Sequence, residues 1–184
     1  MRKNKRIKKI ATINKQIRCC YGISSLCKNG QHVFMIDYDN KKLNDVIKHL
    51  KYIQKDYNLS EIYIIKSTNG YNAISLDMLP LVVIYSIGTN DFSIADRKFF
   101  SYGLKQGFYT LRFGKDKELI KILHSVSNCH NKSLGHKMFL EWFFNLNIDN
   151  NINFTENDNI NILQFKSNKY GFHMVDLNVE PKQL

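Results

Sequence analysis

The sequence predicts an α+β domain, a central mixed β-sheet flanked by helices, and three observations carry that reading. Runs such as HVFMI (32–36) and EIYII (61–65) are short, apolar and rich in branched and aromatic residues, as buried strands are. Residues 41–57 instead place apolar side chains at 43, 46, 47, 50, 53 and 57, one face of a helix. The two kinds of segment alternate along 184 residues, a length that supports one core without staples.

In order, residues 1–30 read as a basic arm and 31–184 as the folded domain. Strand 32–38 comes first, then helix 41–57 closed by Asn58. A hairpin follows: strand 61–67, the turn Thr68-Asn69-Gly70 with Gly70 free to take positive φ, and strand 71–76. Residues 78–87 are apolar and read as helix, broken at Gly88-Thr89-Asn90, with another helix over 93–105. Residues 107–113 alternate as a strand does, and 117–124 suits a short helix or an extended segment. An aromatic-rich helix over 134–146, a polar Asn-rich loop over 147–161, and a strand pair at 162–165 and 172–177 complete the domain.

Charge is unevenly placed. Nine of the 27 Lys and Arg lie in residues 1–36, which contain no Asp or Glu; the rest of the chain is nearly balanced. Arg2, Lys3, Lys5, Arg6, Lys8 and Lys9 concentrate the charge at the start, the footprint expected of phosphate-backbone binding. A solvated basic leader is the plainer alternative. No apolar run reaches the ~18–20 residues of a membrane span, and no apolar signal-peptide segment follows the basic start, so a cytoplasmic location without membrane contact is expected. Cys19, Cys20, Cys27 and Cys129 fit no zinc spacing; Cys129-His130 with His136 is the weak remainder, and reduced thiols are expected.

Chemistry concentrates at three places. Asp37 and Asp39 end the first strand two residues apart, so both project to one face with Tyr38 turned away. Two carboxylates that close call for a cation, and hard divalent ions such as Mg²⁺ or Mn²⁺ favour such oxygens. The alternative is a helix cap supplied by Asp39 or Asn40. In the 66–72 hairpin, Ser67, Asn69 and Asn72 offer donors to an anion, or simply make a turn. Arg112 and Lys115 end a strand where two cations can neutralise a triphosphate. A third carboxylate is sought among Asp91, Asp96 and Asp116. Asp91, beside the 88–90 break, is favoured; Asp96 reads as mid-helix and exposed, and Asp116 as locally paired between lysines.

The order FMIDYD, IIKSTNGYNAIS, a loop Asp, then TLRFGK resembles the archaeo-eukaryotic primase superfamily, and most nearly its small phage and plasmid primase-polymerase-like members. The stretch concerned is residues 33–115. The resemblance implies a primase-polymerase-like fold and nucleotidyl transfer in DNA replication. It further implies metal at Asp37, Asp39 and Asp91, and triphosphate at Ser67, Asn69, Asn72, Arg112 and Lys115. Partners would be nucleoside triphosphates, a single-stranded template or primer-template, and a helicase or other replication protein. Where the family motif carries histidine after Gly-Tyr, this chain has Asn72, which can donate a hydrogen bond but carries no charge. A metal-dependent nuclease and a non-catalytic nucleic-acid-binding accessory protein are the alternatives.

Overall fold

The computed structural model describes residues 19–90, 92–114, 116–125, 130–148, 154–155, 162–168 and 171–177. Their elements, in chain order, are β1 (Cys19–Ser24), β2 (His32–Asp39), α1 (Leu43–Asp56), β3 (Ile62–Ser67), β4 (Gly70–Leu79), α2 (Leu81–Thr89), α3 (Arg97–Gln106), β5 (Thr110–Phe113), β6 (Glu118–Leu123), β7 (Lys132–Ser133), α4 (Leu134–Phe144), β8 (Phe154–Thr155), β9 (Ile162–Asn168) and β10 (Gly171–Leu177). This is a single α+β domain, as the alternation of patterns predicts.

Two sheets share the core. The larger is built on β4, which pairs antiparallel with β2 on one side and with β3 on the other; β6 lies outside β3. The smaller has the order β10-β9-β1-β5, all antiparallel. Val33, Phe34, Met35 and Ile36 are fully buried, which is why β2 reads as an unbroken apolar run rather than an alternating one.

Ser25 joins the sheets. Its carbonyl accepts from Val33 N at 2.8 Å and its N–H donates to Tyr109 O at 2.8 Å; its hydroxyl accepts from Tyr109 N at 2.9 Å and bonds His32 Nδ1 at 3.0 Å. The end of β1 is thereby tied to the starts of β2 and β5. On the far side, Phe113 packs edge-on against Phe139 and Phe143 of α4, at 4.9 and 5.0 Å between ring centres. Buried His136 donates from Nε2 to Ser24 O at 2.7 Å, which leaves Nδ1 to accept from Ser133 Oγ.

Several boundaries differ from the sequence reading, each for a tertiary reason. Residues 19–24 are a paired strand, so the basic arm does not extend to residue 30. β4 runs on to Leu79, past the start predicted for the next helix. Asp77, within it, is buried and accepts at Oδ2 from Ser60 N, Ser60 Oγ and Ser75 Oγ, with Lys132 Nζ 3.9 Å from Oδ1. Gly88 stays helical instead of breaking α2: a Cβ there would lie 2.1 Å from the Phe100 ring, so the glycine admits that ring. Residues 117–124 resolve as the strand β6. The 147–161 loop lies largely outside the described residues. No helix among those described is long and apolar enough to cross a membrane.

Candidate metal and phosphate site

Register decides what meets at the end of the larger sheet. Asp37 stands opposite Asn72, Tyr38 opposite Tyr71 and Asp39 opposite Gly70, while Ser67 of β3 also stands opposite Gly70. Opposed residues share a face, so the carboxylate pair and the hairpin donors come together as expected. Tyr38 is buried on the other side. Gly70 has no positive φ; the turn needs it for a different reason. A Cβ there would stand 1.9 Å from the Tyr38 carbonyl oxygen, so only glycine lets β4 close on β2. The left-handed corner is Asn40 (φ 55°), whose N–H donates to Asn69 O at 2.8 Å. Neither Asp39 nor Asn40 caps α1, whose N-cap is Lys42 without a side-chain bond.

Among the described residues, the third carboxylate beside the pair is Asp96. It is the N-cap of α3, its carboxylate accepting from Lys98 N at 3.0 Å, and its own N–H donates to Asp37 O at 2.9 Å. One carboxylate oxygen from each of Asp37, Asp39 and Asp96 lies within 4.8 Å of the others. The favoured Asp91 lies outside the described residues. The sequence reading starts this helix at residue 93 and so places Asp96 mid-helix, whereas the helix starts at Arg97; an Asp followed by Arg-Lys-Phe-Phe is itself an N-cap signature. Burial, then the neighbouring Asp39, pushes the Asp37 carboxyl up to about 6. Hard carboxylate oxygens clustered with like charge fit Mg²⁺ or Mn²⁺.

Asp37, Asp39 and Asp116 border a cavity of about 340 Å³, within the ~300–1,000 Å³ of small-molecule sites. Ser67, Asn69, Asn72 and Arg112 line it together with Asp37 and Asp39. Arg112 does not arrive from the sheet that carries the acids; β5 belongs to the smaller sheet and reaches the cavity through the Ser25 junction. Lys115 and the arm residues Arg2, Lys3, Lys5, Arg6, Lys8 and Lys9 lie outside the described residues.

The sequence does not single out Lys117, yet among the described residues it is a cation bonded into the acids' own network. Its Nζ donates to Asn72 Oδ1 at 2.5 Å, and Asn72 Nδ2 donates to Asp37 Oδ1 at 2.6 Å. Asn72 thus spans an acid and a lysine, and Lys117 supplies the positive charge an asparagine lacks. Burial lowers the Lys117 pKa, with Asp116 and Asp37 opposing that shift. Asp116 is not simply a partner of its lysine neighbours: it accepts from Thr68 Oγ1 at 2.5 Å, which holds its carboxyl below the usual range and clasps the β3–β4 turn to the β5–β6 turn.

No protein-family model, curated protein or solved structure matches this chain. The site therefore has to be interpreted on its own chemistry. His136 is engaged at both ring nitrogens, by Ser24 O and Ser133 Oγ, and His130 bonds the Tyr57 carbonyl through Nε2; Cys129 lies outside the described residues.

Proposed function

We propose that this protein is a metal-dependent nucleotidyltransferase of the primase-polymerase type, serving replication of a phage or mobile element. The observation that carries the reading is the convergence of Asp37, Asp39 and Asp96 beside a cavity whose lining includes Asp37, Asp39, Ser67, Asn69, Arg112 and Lys117. Acids for metal, neutral donors for phosphate oxygens and cations for charge are what phosphoryl chemistry requires, because positioning and electrostatics supply most of its rate. Mg²⁺ or Mn²⁺ held by the three carboxylates would activate an attacking hydroxyl and neutralise phosphate charge. Asn72 keeps Asp37 oriented, while Lys117 and Arg112 face the triphosphate. The N-terminal lysines and arginines would follow the template backbone, and a helicase or other replication protein would act alongside.

The test is extension of a labelled primer-template with deoxy- and ribonucleoside triphosphates, in Mg²⁺ and in Mn²⁺. Wild type is expected to lengthen the primer, and Asp37→Asn/Asp39→Asn or Asp96→Asn to lose at least about 100-fold of that rate, the scale of removing transition-state charge stabilisation. Equal inertness of wild type and variants sinks the enzymatic reading, and metal-dependent shortening of the strand would mark a nuclease instead. One observation favours a non-catalytic accessory role: both ends of the Asn72 amide are engaged within the protein. That reading predicts salt-sensitive nucleic-acid binding that survives loss of the aspartates and fails on removal of residues 1–18.

A further inference from the structure

Across β2 from the carboxylates lies a second concavity, of about 480 Å³, with an almost wholly apolar lining. Its walls are α1, through Lys48, His49 and Tyr52, and the segment before α3, through Phe92 and Ile94; Asp45 closes one end. Two features mark it as more than a surface dimple. Phe92 is 76% exposed and Tyr52 46% exposed, so two aromatic rings face solvent at one groove. His49 is only 8% exposed; its Nδ1 is bonded to Tyr38 Oη at 2.9 Å, while its Nε2 has no partner among the described residues.

The charge around the groove says what would fill it. Lys48, Lys51, Tyr52 and Lys55 are all exposed along α1, with Lys48 in the groove lining and Lys48 and Lys55 one turn to either side of the tyrosine. The Tyr52 hydroxyl bonds Asp56 one turn on. Aromatic faces interleaved with lysines suit an unpaired base with its phosphates: the base stacks and the backbone is neutralised. An apolar peptide side chain would use the rings but not the lysines. Asp45, at the groove end away from Lys51 and Lys55, can accept from an exocyclic amine but repels phosphate there, which directs the backbone along the lysine side.

We infer that the groove between α1 and residues 92–94 is a stacking site for an unpaired base of single-stranded nucleic acid, held between Tyr52 and Phe92 with Lys48, Lys51 and Lys55 on its phosphates. Its loop wall runs directly into Asp96, so a strand seated here passes close to the metal corner. The inference rests on the nucleic-acid side of the proposed function but not on its chemistry, and its test needs neither metal nor nucleotide.

The experiment is fluorescence anisotropy of the full chain with a labelled thymidine strand of about 20 nucleotides, the matching uridine strand and an abasic strand of equal length. It is run in EDTA at about 0.3 M salt, which weakens the contribution of the basic arm. Stacking is worth about 1–3 kcal/mol per base, so Tyr52→Ala and Phe92→Ala should each weaken binding about fivefold or more, and Tyr52→Phe less than about twofold. The abasic strand should bind wild type at least about fivefold more weakly than the thymidine strand, a comparison that needs no variant to fold. Loss with either the deoxy or the ribo strand supports the site, and the strand more affected names the preferred sugar. Equal binding of abasic and thymidine strands overturns it, as does unchanged binding by variants that melt like wild type. A Phe92-dependent dimer in sedimentation, with strand binding unchanged, overturns it too, assigning the groove to a second copy.

Discussion

Asp37 carries the electrostatic tension of the site. Its carboxyl is pushed up to about 6, first by burial and then by Asp39, from an ordinary value of 3.8. The folded protein therefore holds this proton more tightly than the unfolded chain does. Without metal, the group costs stability as pH rises from about 4 through 6, and the cost is complete above that. At neutral pH it is on the order of 3 kcal/mol. Asp37→Asn keeps an acceptor for Asn72 Nδ2 while removing the charge. In EDTA it should melt higher than wild type at pH 7.5, with the gap narrowing towards pH 5; a gap that does not change with pH would disprove the linkage. Mg²⁺ or Mn²⁺ should raise the melting temperature of wild type and not of this variant.

At the scale of elements, the site depends on how closely β4 approaches β2. Gly70 and Gly30 separate two reasons for a glycine. Gly30 has φ 78° with nothing within 4 Å of an added Cβ, so Gly30→Ala should cost only the left-handed backbone penalty of ~1–2 kcal/mol. Gly70→Ala meets the Tyr38 carbonyl oxygen at 1.9 Å and must push β4 away beside Asp37 and Asp39. It should cost at least about 2 kcal/mol in urea unfolding and should also weaken the metal-induced rise in melting temperature. Gly30→Ala should leave that rise intact. The Thr68–Asp116 bond acts at the same scale, clasping the two turns that frame the cavity.

For the whole molecule, buried histidines and Asp37 pull the pH dependence in opposite directions. His136 is fully enclosed and burial lowers it to about 4, so the folded state resists a proton that the unfolded chain accepts below about 6.5. Its contribution to stability is present above 6.5 and is lost as pH falls towards 4. By pH 5 that loss is about 2 kcal/mol, against about 1.5 kcal/mol regained as Asp37 protonates. His32 and His49 are also lowered by burial and act in the same direction as His136. Wild type should therefore be less stable at pH 5 than at pH 7 in urea titrations, and Asp37→Asn should show the steeper fall. A rise towards pH 5 would mean that the carboxylate cluster, not the buried histidines, dominates.

The sequence by itself determined the α+β class, the strand that ends in Asp37 and Asp39, and the hairpin bearing Ser67 and Asn72. Those features are local: apolar runs, period-two alternation and turn residues act within a few positions of themselves. It could not determine that residues 19–24 form a strand, because β1 is specified by its partners β5 and β9 rather than by its own pattern. Nor could it place Asp96 beside Asp37 and Asp39, or find Lys117. Asp96 joins the acids through a backbone bond to Asp37, and Lys117 joins through Asn72, contacts that span 59 and 45 residues of sequence. Only the packing of the β5–β6 turn and the start of α3 against the end of β2 decides which carboxylates and cations come together, because side-chain electrostatics depends on distance in space and sequence patterns report only neighbours along the chain.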